Sequence, residues 1–282
     1  MLRTRVITAA VLLAVLLAVL FLLPPWAWSV MCSLICGLAA WEWGGLAKWD
    51  SKARIAYGCV LGGLCFLLAF FDIDGVWLNI FLCLLAVAAF FWLLAVPFWL
   101  WRKWALHKWV APWVGVVVLV PPALVLMYLS RMSPIFVLMS CSIVWVADIA
   151  AYFSGRAFGG KKLAPSISPG KTWAGAVGAV LGVLVYGNAL LFISGNFWAF
   201  WGNTPIWQLL LMQFTLVVLV ALSIIGDLFE SLLKRQAGVK DSSHLLPGHG
   251  GVLDRIDSLT SMLPCWAAFS LFPFFTLLSL PK

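Results

Sequence analysis

Charged side chains are scarce in this 282-residue sequence. Asp, Glu, Lys and Arg together make up 10% of it, against roughly 25% in a typical soluble domain. Histidine occurs three times and tyrosine four times, while 64% of residues are hydrophobic. A water-soluble fold needs a largely polar outer layer and cannot hide that much apolar surface. A soluble enzyme, a disordered tail and a DNA-binding domain are thereby excluded. The polar–apolar alternation of outer-membrane barrel strands is missing as well. In its place stand apolar runs of about 20 residues, the length a helix needs to cross a bilayer. CxxC pairs are also lacking. Cys32, Cys36, Cys59, Cys65, Cys83, Cys141 and Cys265 all lie in apolar runs and are odd in number. They read as small core hydrophobes rather than a disulfide framework. What remains is an all-α fold, a polytopic bundle of transmembrane helices.

Nine spans are expected: 6–23, 26–47, 54–71, 76–100, 110–130, 134–153, 172–194, 206–233 and 258–280. The first follows Arg3 and Arg5 and is too long for a signal-peptide core of roughly 7–15 residues. It reads as a retained helix ended by Pro24-Pro25, since proline cannot continue the helical ladder. Span two carries Glu42. Asp72-Ile73-Asp74-Gly75 reads as a turn, and Pro121-Pro122 as a kink within span five. Gly175, Gly178, Gly182 and Gly187 permit close packing of span seven, which suits a homodimer contact. Trp26, Trp28, Trp99, Trp101, Trp104 and Trp109 cluster near span ends and read as interface anchors. We divide the chain into an N-terminal region, residues 1–130, of about five spans, and a C-terminal catalytic region, residues 131–282.

Lys and Arg exceed Asp and Glu by eight. With the amino terminus inside, sixteen of the eighteen basic residues fall in inner loops, and only Arg131 and Lys282 lie outside. That is the positive-inside pattern. Topology accounts for the basic excess, so no nucleic-acid partner is implied.

The reactive side chains concentrate in two segments expected to face the cytoplasm. The first, 145–173, holds Asp148, Ser168 and Lys171. Its stretch Ser166–Thr172 ends in Gly-Lys-Thr like a Walker loop. It lacks the first glycine and no strand is expected before it, which excludes a P-loop NTPase. Lys171 can still serve as a phosphate-binding point charge. The second segment is 226–258. Asp227, Glu230, Ser231 and Lys234 share one helical face at the end of span eight. Carboxylates at that depth are costly unless they meet a cavity, a cation or a partner. Glu230 could simply pair with Lys234. The loop from Lys240-Asp241 to His249-Gly250-Gly251 is rich in turn formers, and its N–H groups are expected to cradle phosphate. Asp254, Asp257 and Ser258 open span nine, where one of them could cap the helix. Several carboxylates beside a basic, glycine-rich loop suit a divalent metal with a polyphosphate. His244 and His249 with Asp suit zinc less well. A transporter would carry its charges near the bilayer midplane, where these spans have almost none.

The run Ser231–Asp257 resembles the signature of the phosphatidate cytidylyltransferases. That pattern is S-x-apolar-K-R-x4-K-D-x-small-x2-apolar-P-x-H-G-G-apolar-x-D-R-apolar-D. Every specified position agrees, including Lys234, Arg235, Lys240, Asp241, Ser243, Pro247, His249, Gly250, Gly251, Asp254, Arg255 and Asp257. Asp148-x-x-Ala151-Tyr152 and the stretch from Lys162 through Ser168 and Lys171 to Trp173 also look like the family. The first four spans match only as apolar helices. The resemblance implies transfer of CMP from CTP to phosphatidic acid, giving CDP-diacylglycerol and pyrophosphate, for phospholipid biosynthesis. It implies Mg²⁺ dependence, with K⁺ as a second cation. Asp227 and Asp254 would be metal ligands with Ser231 close by, and Asp148 is a candidate third ligand. Lys171, Lys234, Arg235, Lys240 and Arg255 would bind phosphates, with Asp241, His249 and Asp257 completing the catalytic set. Ser168, Ser231, Gly250 and Gly251 are expected on the substrate side. The implied setting is the inner cell membrane, with the site facing the cytoplasm and lipid substrate drawn from the bilayer. A CTP-dependent lipid kinase is the alternative, and would release CDP instead of pyrophosphate.

Overall fold

Prolines and glycines cut the apolar chain into helices at the expected places. In the computed structural model, which describes residues 2–71, 75–193 and 204–271, the segments are nearly all helical. Helix α1 spans Leu2–Leu22, α2 Pro25–Leu46 and α3 Ser51–Leu68. Gly75–Phe90 (α4) runs through a π-helical turn, Phe91–Ala95, into α5, Val96–Arg102. Then come α6, Ala111–Met132, and α7, Pro134–Phe158. A two-stranded antiparallel hairpin follows, β1 Lys162–Ala164 and β2 Ser168–Thr172. The chain closes with α8, Trp173–Ile193, α9, Ile206–Ala237, and α10, Leu253–Leu271. Among the described residues, seven helical segments are long and apolar enough to cross a membrane, and the apolar part of α1, Val6–Leu22, is shorter. The expected turn at 72–74 and the second half of the ninth span lie outside the described residues.

Several expectations need correcting. The hairpin was not foreseen, and a strand does precede Gly170-Lys171-Thr172. Those three residues are themselves in β2, with Thr172 paired to Lys162. An extended strand cannot wrap a phosphate, so the exclusion of a Walker loop stands on this geometry. Helix α7 continues to Phe158, beyond the expected end of its span at 153, with Asp148 inside it. Helix α9 runs to Ala237 and stops at Gly238, whose left-handed φ of 81° closes the helix. Lys234 therefore lies on the helix, on the face its spacing predicts. Trp28 and Trp99 are buried, not interfacial. Their indole N–H groups donate to Leu126 O and Trp104 O. Cys59 and Cys83 are exposed, while the other five cysteines are buried. The glycines of α8 are used within the chain. A Cβ on Gly182 would lie 2.6 Å from Ala150 Cβ on α7, and one on Gly187 2.8 Å from Leu216 on α9.

Two packing features fix the helix that matters most. Phe229 on α9 is enclosed by Trp43, Phe91, Trp92 and Trp99, with centroids 5.5–6.4 Å away and mostly edge-to-face. The π-helical turn carries Phe91 and Trp92 to this cage. At about 100° per residue, Phe229 lies roughly 200° around the helix from Asp227. Burying the aromatic face thus turns the acidic face the other way. Gly226 lets α10 cross closely: a Cβ there would meet Ser261 Oγ and sit 2.6 Å from Asp257 O. Gly226→Val should therefore separate α9 from α10. The expected result is a lower thermal midpoint in detergent and lost activity, and a variant with wild-type values for both would contradict this crossing.

Candidate active site

Three elements bring the polar side chains together: the last turns of α9, the start of α10 and the hairpin. Asp227 is half-buried on α9. Its Oδ2 accepts from Lys171 Nζ at 2.6 Å, and its Oδ1 accepts from the Ser231 hydroxyl at 3.1 Å, one turn on. Lys171 is delivered by β2, next to Thr172, whose Oγ1 accepts from Gly175 N at 3.0 Å and caps the following helix. Asp148, exposed on α7, lies within electrostatic reach of Asp227, Lys171 and Arg255. Asp257 in turn feels Asp227, Lys234 and Lys171.

A second node lies deeper. Lys234 Nζ donates to Glu230 Oε2 and to Asp254 Oδ1, both at 2.6 Å. Glu230 therefore pairs with Lys234, as its spacing allowed, while its Oε1 is buried with no hydrogen-bond partner. The other oxygen of Asp254 collects three donors: Ser242 N at 2.9 Å, Ser242 Oγ at 2.9 Å and Gly251 N at 2.7 Å. Burial raises the cost of ionising Asp254. The Lys234 ammonium and the Gly251 and Ser242 N–H groups outweigh that and hold its carboxyl below the usual range.

The glycine-rich loop does not act as expected. Its N–H groups were to cradle phosphate, yet those of Ser242 and Gly251 are taken by Asp254. A third carboxylate, Glu42 on α2, takes the N–H groups of Val252 at 2.9 Å and Leu253 at 2.6 Å. Gly250 has a left-handed φ of 80°, and a Cβ there would lie 2.6 Å from Asp254 Oδ2. A Cβ on Gly251 would lie 2.5 Å from Glu42 Oε1. The glycines make room for carboxylates. Glu42 was noted in the sequence only as part of span two. A lone carboxylate inside an apolar span was the signal that could have found it.

The remaining expected site residues lie around the two nodes rather than in them, Arg255 within electrostatic reach of Asp148. Arg235, Lys240, Asp241 and Arg255 are exposed, Ser168 is half-buried in β2, and the buried Nδ1 of His249 has no partner. Among the described residues, no three His, Cys, Asp or Glu side chains come close enough to cage a metal. Asp148, Asp227 and Asp254 thus do not form a protein-only ligand set.

The site nonetheless fits a hard divalent cation. Its carboxylates (Asp148, Asp227, Glu230, Asp254 and Asp257) outnumber the cations beside them (Lys171, Lys234 and Arg255) by two. The unpartnered Glu230 Oε1 shows the same excess of acceptors. Mg²⁺ is commonly held by one or two carboxylates and completed by phosphate and water oxygens, so a full cage is not required. Asp227 and Asp254 would hold it, with Ser231 beside Asp227.

The Cytidylyltransferase family matches residues 3–272. The phosphatidate cytidylyltransferase of Pseudomonas aeruginosa is 38% identical over 275 residues, covering 95% of this chain and 96% of that protein. That of Haemophilus influenzae is 37% identical over 301 residues, covering 98% of this chain and all of the relative. That of Brucella suis is 51% identical over 124 residues, 43% of this chain and 41% of that protein.

Proposed function

The chain belongs to the Cytidylyltransferase family, and from that premise we propose that it is an integral membrane phosphatidate cytidylyltransferase. It is a nucleotidyltransferase that makes CDP-diacylglycerol and pyrophosphate from CTP and phosphatidic acid. The observation that carries this reading is the pair of carboxylate–lysine nodes at the ends of otherwise apolar helices.

An oxygen of the lipid phosphate attacks the α-phosphorus of CTP. The bond from that phosphorus to the bridging oxygen breaks as the new one forms, and pyrophosphate leaves. The lipid phosphate is itself the nucleophile, so no Ser or Cys nucleophile is needed. Bound Mg²⁺ supplies neutralisation of charge on the non-bridging oxygens. Lys171 and Lys234, paired with Asp227 and Asp254, would hold the incoming phosphates through charge-assisted hydrogen bonds. The exposed Arg235, Lys240 and Arg255 extend that basic surface toward the leaving pyrophosphate. K⁺ is proposed as a second cation. The reading further puts the amino terminus and the site on the cytoplasmic side of the inner membrane, on the strength of the basic loops.

An apolar cavity of about 540 Å³ is lined by α8 and α9, including residues close to Lys171 and Asp227 in sequence. Leu163 and Trp173 line it next to the hairpin, and Ile224, Ile225 and Leu228 line it on either side of Asp227 in sequence. It would take an acyl chain while the headgroup reaches Lys171. Ala221→Trp, which fills this cavity, should slow turnover of long-chain phosphatidate more than of a short-chain analogue. Equal effects on both would remove the cavity from the reading.

The direct test uses purified protein in detergent with phosphatidic acid, Mg²⁺ and CTP labelled at the α-phosphate. Chelator-sensitive label in the lipid phase supports cytidylyl transfer. CDP in solution with an unlabelled, newly phosphorylated lipid would support a CTP-dependent lipid kinase instead.

A further inference from the structure

We propose that Glu42 is a positioning residue for the transfer, holding the 242–253 segment so that Asp254 keeps its carboxylate on Lys234. The inference rests on the transferase reading above. Glu42 is fully buried, with 0% of its surface exposed, and is the one charged residue among the buried residues of its helix. A charged side chain in such a place is costly, and simple packing of α2 would be served better by a neutral one. What Glu42 gains is four hydrogen bonds from one segment. Oε1 accepts from Ser243 Oγ at 2.5 Å and Val252 N at 2.9 Å. Oε2 accepts from Ser242 Oγ at 3.0 Å and Leu253 N at 2.6 Å.

The chemistry of those donors selects a carboxylate. Two are backbone N–H groups, which can only donate, and they contact different oxygens of Glu42. An amide side chain would present an acceptor to one and a donor to the other. The N–H groups of Val252 and Leu253 also open α10, where the helix dipole favours an anion. Gly251 is needed here because a Cβ would meet Ser242 Oγ and lie 2.5 Å from Glu42 Oε1.

The link to the site is Ser242. Its hydroxyl lies 3.0 Å from Glu42 Oε2 and 2.9 Å from Asp254 Oδ2. One hydroxyl proton is thus shared between the buried carboxylate of α2 and the site carboxylate of α10. Gly251 donates to Asp254 while its neighbour Val252 donates to Glu42. The two carboxylates therefore grip alternate groups of one short stretch of backbone, and displacing Glu42 displaces Asp254.

The test is Glu42→Gln in the full chain, purified in detergent. Turnover should fall by about 10- to 100-fold, as for partners that orient first-contact groups, with the KM for CTP little changed. Hydrogen exchange at the amides of 251–253 should quicken, while exchange in α3 and α7 stays as in wild type. Wild-type turnover in E42Q overturns the proposal. So does a loss of activity that merely tracks loss of folded protein, with exchange at 251–253 unchanged in the folded remainder. Ser242→Ala keeps Glu42 and its two backbone bonds but removes the hydroxyl that Glu42 shares with Asp254. It should lower turnover in the same way with no loss of folded protein, and wild-type turnover there would also overturn the proposal. The exchange measurement needs no substrate. If the wild-type protein itself transfers no CMP, the transferase reading has failed, and the exchange data still decide whether Glu42 holds the segment.

Discussion

Asp227→Asn yields a folded protein that transfers CMP at least about a hundred- to a thousandfold more slowly, the scale of losing one group that stabilises charge in a displacement. The side chain of Asp227 is 31% exposed, and its partners Lys171 and Ser231 are themselves in reach of solvent. Removing its charge leaves Lys171 facing water, which is a small cost to the fold. Nothing else on α9 replaces the lost carboxylate, because Glu230 is already committed to Lys234. Asp254→Asn differs although both residues are proposed metal ligands. Asp254 also holds Lys234, Ser242 and Gly251, so its replacement lowers stability as well as turnover. The pair is read by label transfer into lipid together with thermal midpoints in detergent. An active D227N would remove the metal assignment at that position, and equal midpoints for the two variants would remove the structural role of Asp254.

How much of this could be read beforehand follows from the range of each interaction. Helix positions were legible because apolar length and proline breaks are local, and Asp227, Ser231, Glu230 and Lys234 were legible because one helical face gathers them. The hairpin was hidden by Pro165, Pro169 and Gly170, which read as loop. Two strands of three and five residues leave little periodicity to detect. The glycines at 250 and 251 announced a close approach without saying of what. Phosphate was the natural candidate, and the answer was two carboxylates, one of them some 200 residues away in the chain. Glu42 could not be joined to the site from spacing, since its partners meet only when α2 packs against α10. For the same reason the division at residue 130 conceals that the N-terminal region supplies part of the site's support. Trp28 and Trp99 were misplaced because the amphipathic rings that suit an interface also suit a buried carbonyl partner.

Lys234→Met carries the largest expected effect on stability. The ammonium lies between Glu230 and Asp254, whose side chains are 4% and 5% exposed, and is itself 12% exposed. Removing the one cation from such a set leaves buried negative charge uncompensated, which costs about 3–5 kcal/mol. Relief is partial, since Ser242 and Gly251 still donate to Asp254 Oδ2. Glu230 Oε1 already has no hydrogen-bond partner, and Asp257 adds a further negative charge nearby. The methylene stem of Met fills the same space, so a cavity does not explain the loss. Thermal unfolding in mild detergent should show a lower midpoint for K234M than for wild type. Adding Glu230→Gln to K234M removes one of the stranded charges and should restore part of the difference, giving a non-additive double-mutant cycle. Additive effects, or a wild-type midpoint in K234M alone, would show that the ammonium is not clamping α9 to α10. The clamp needs Lys234 on the helix, one turn after Glu230, for Nζ to reach both Glu230 and Asp254. A single side chain then ties the helix that carries Asp227 to the helix that carries Asp254.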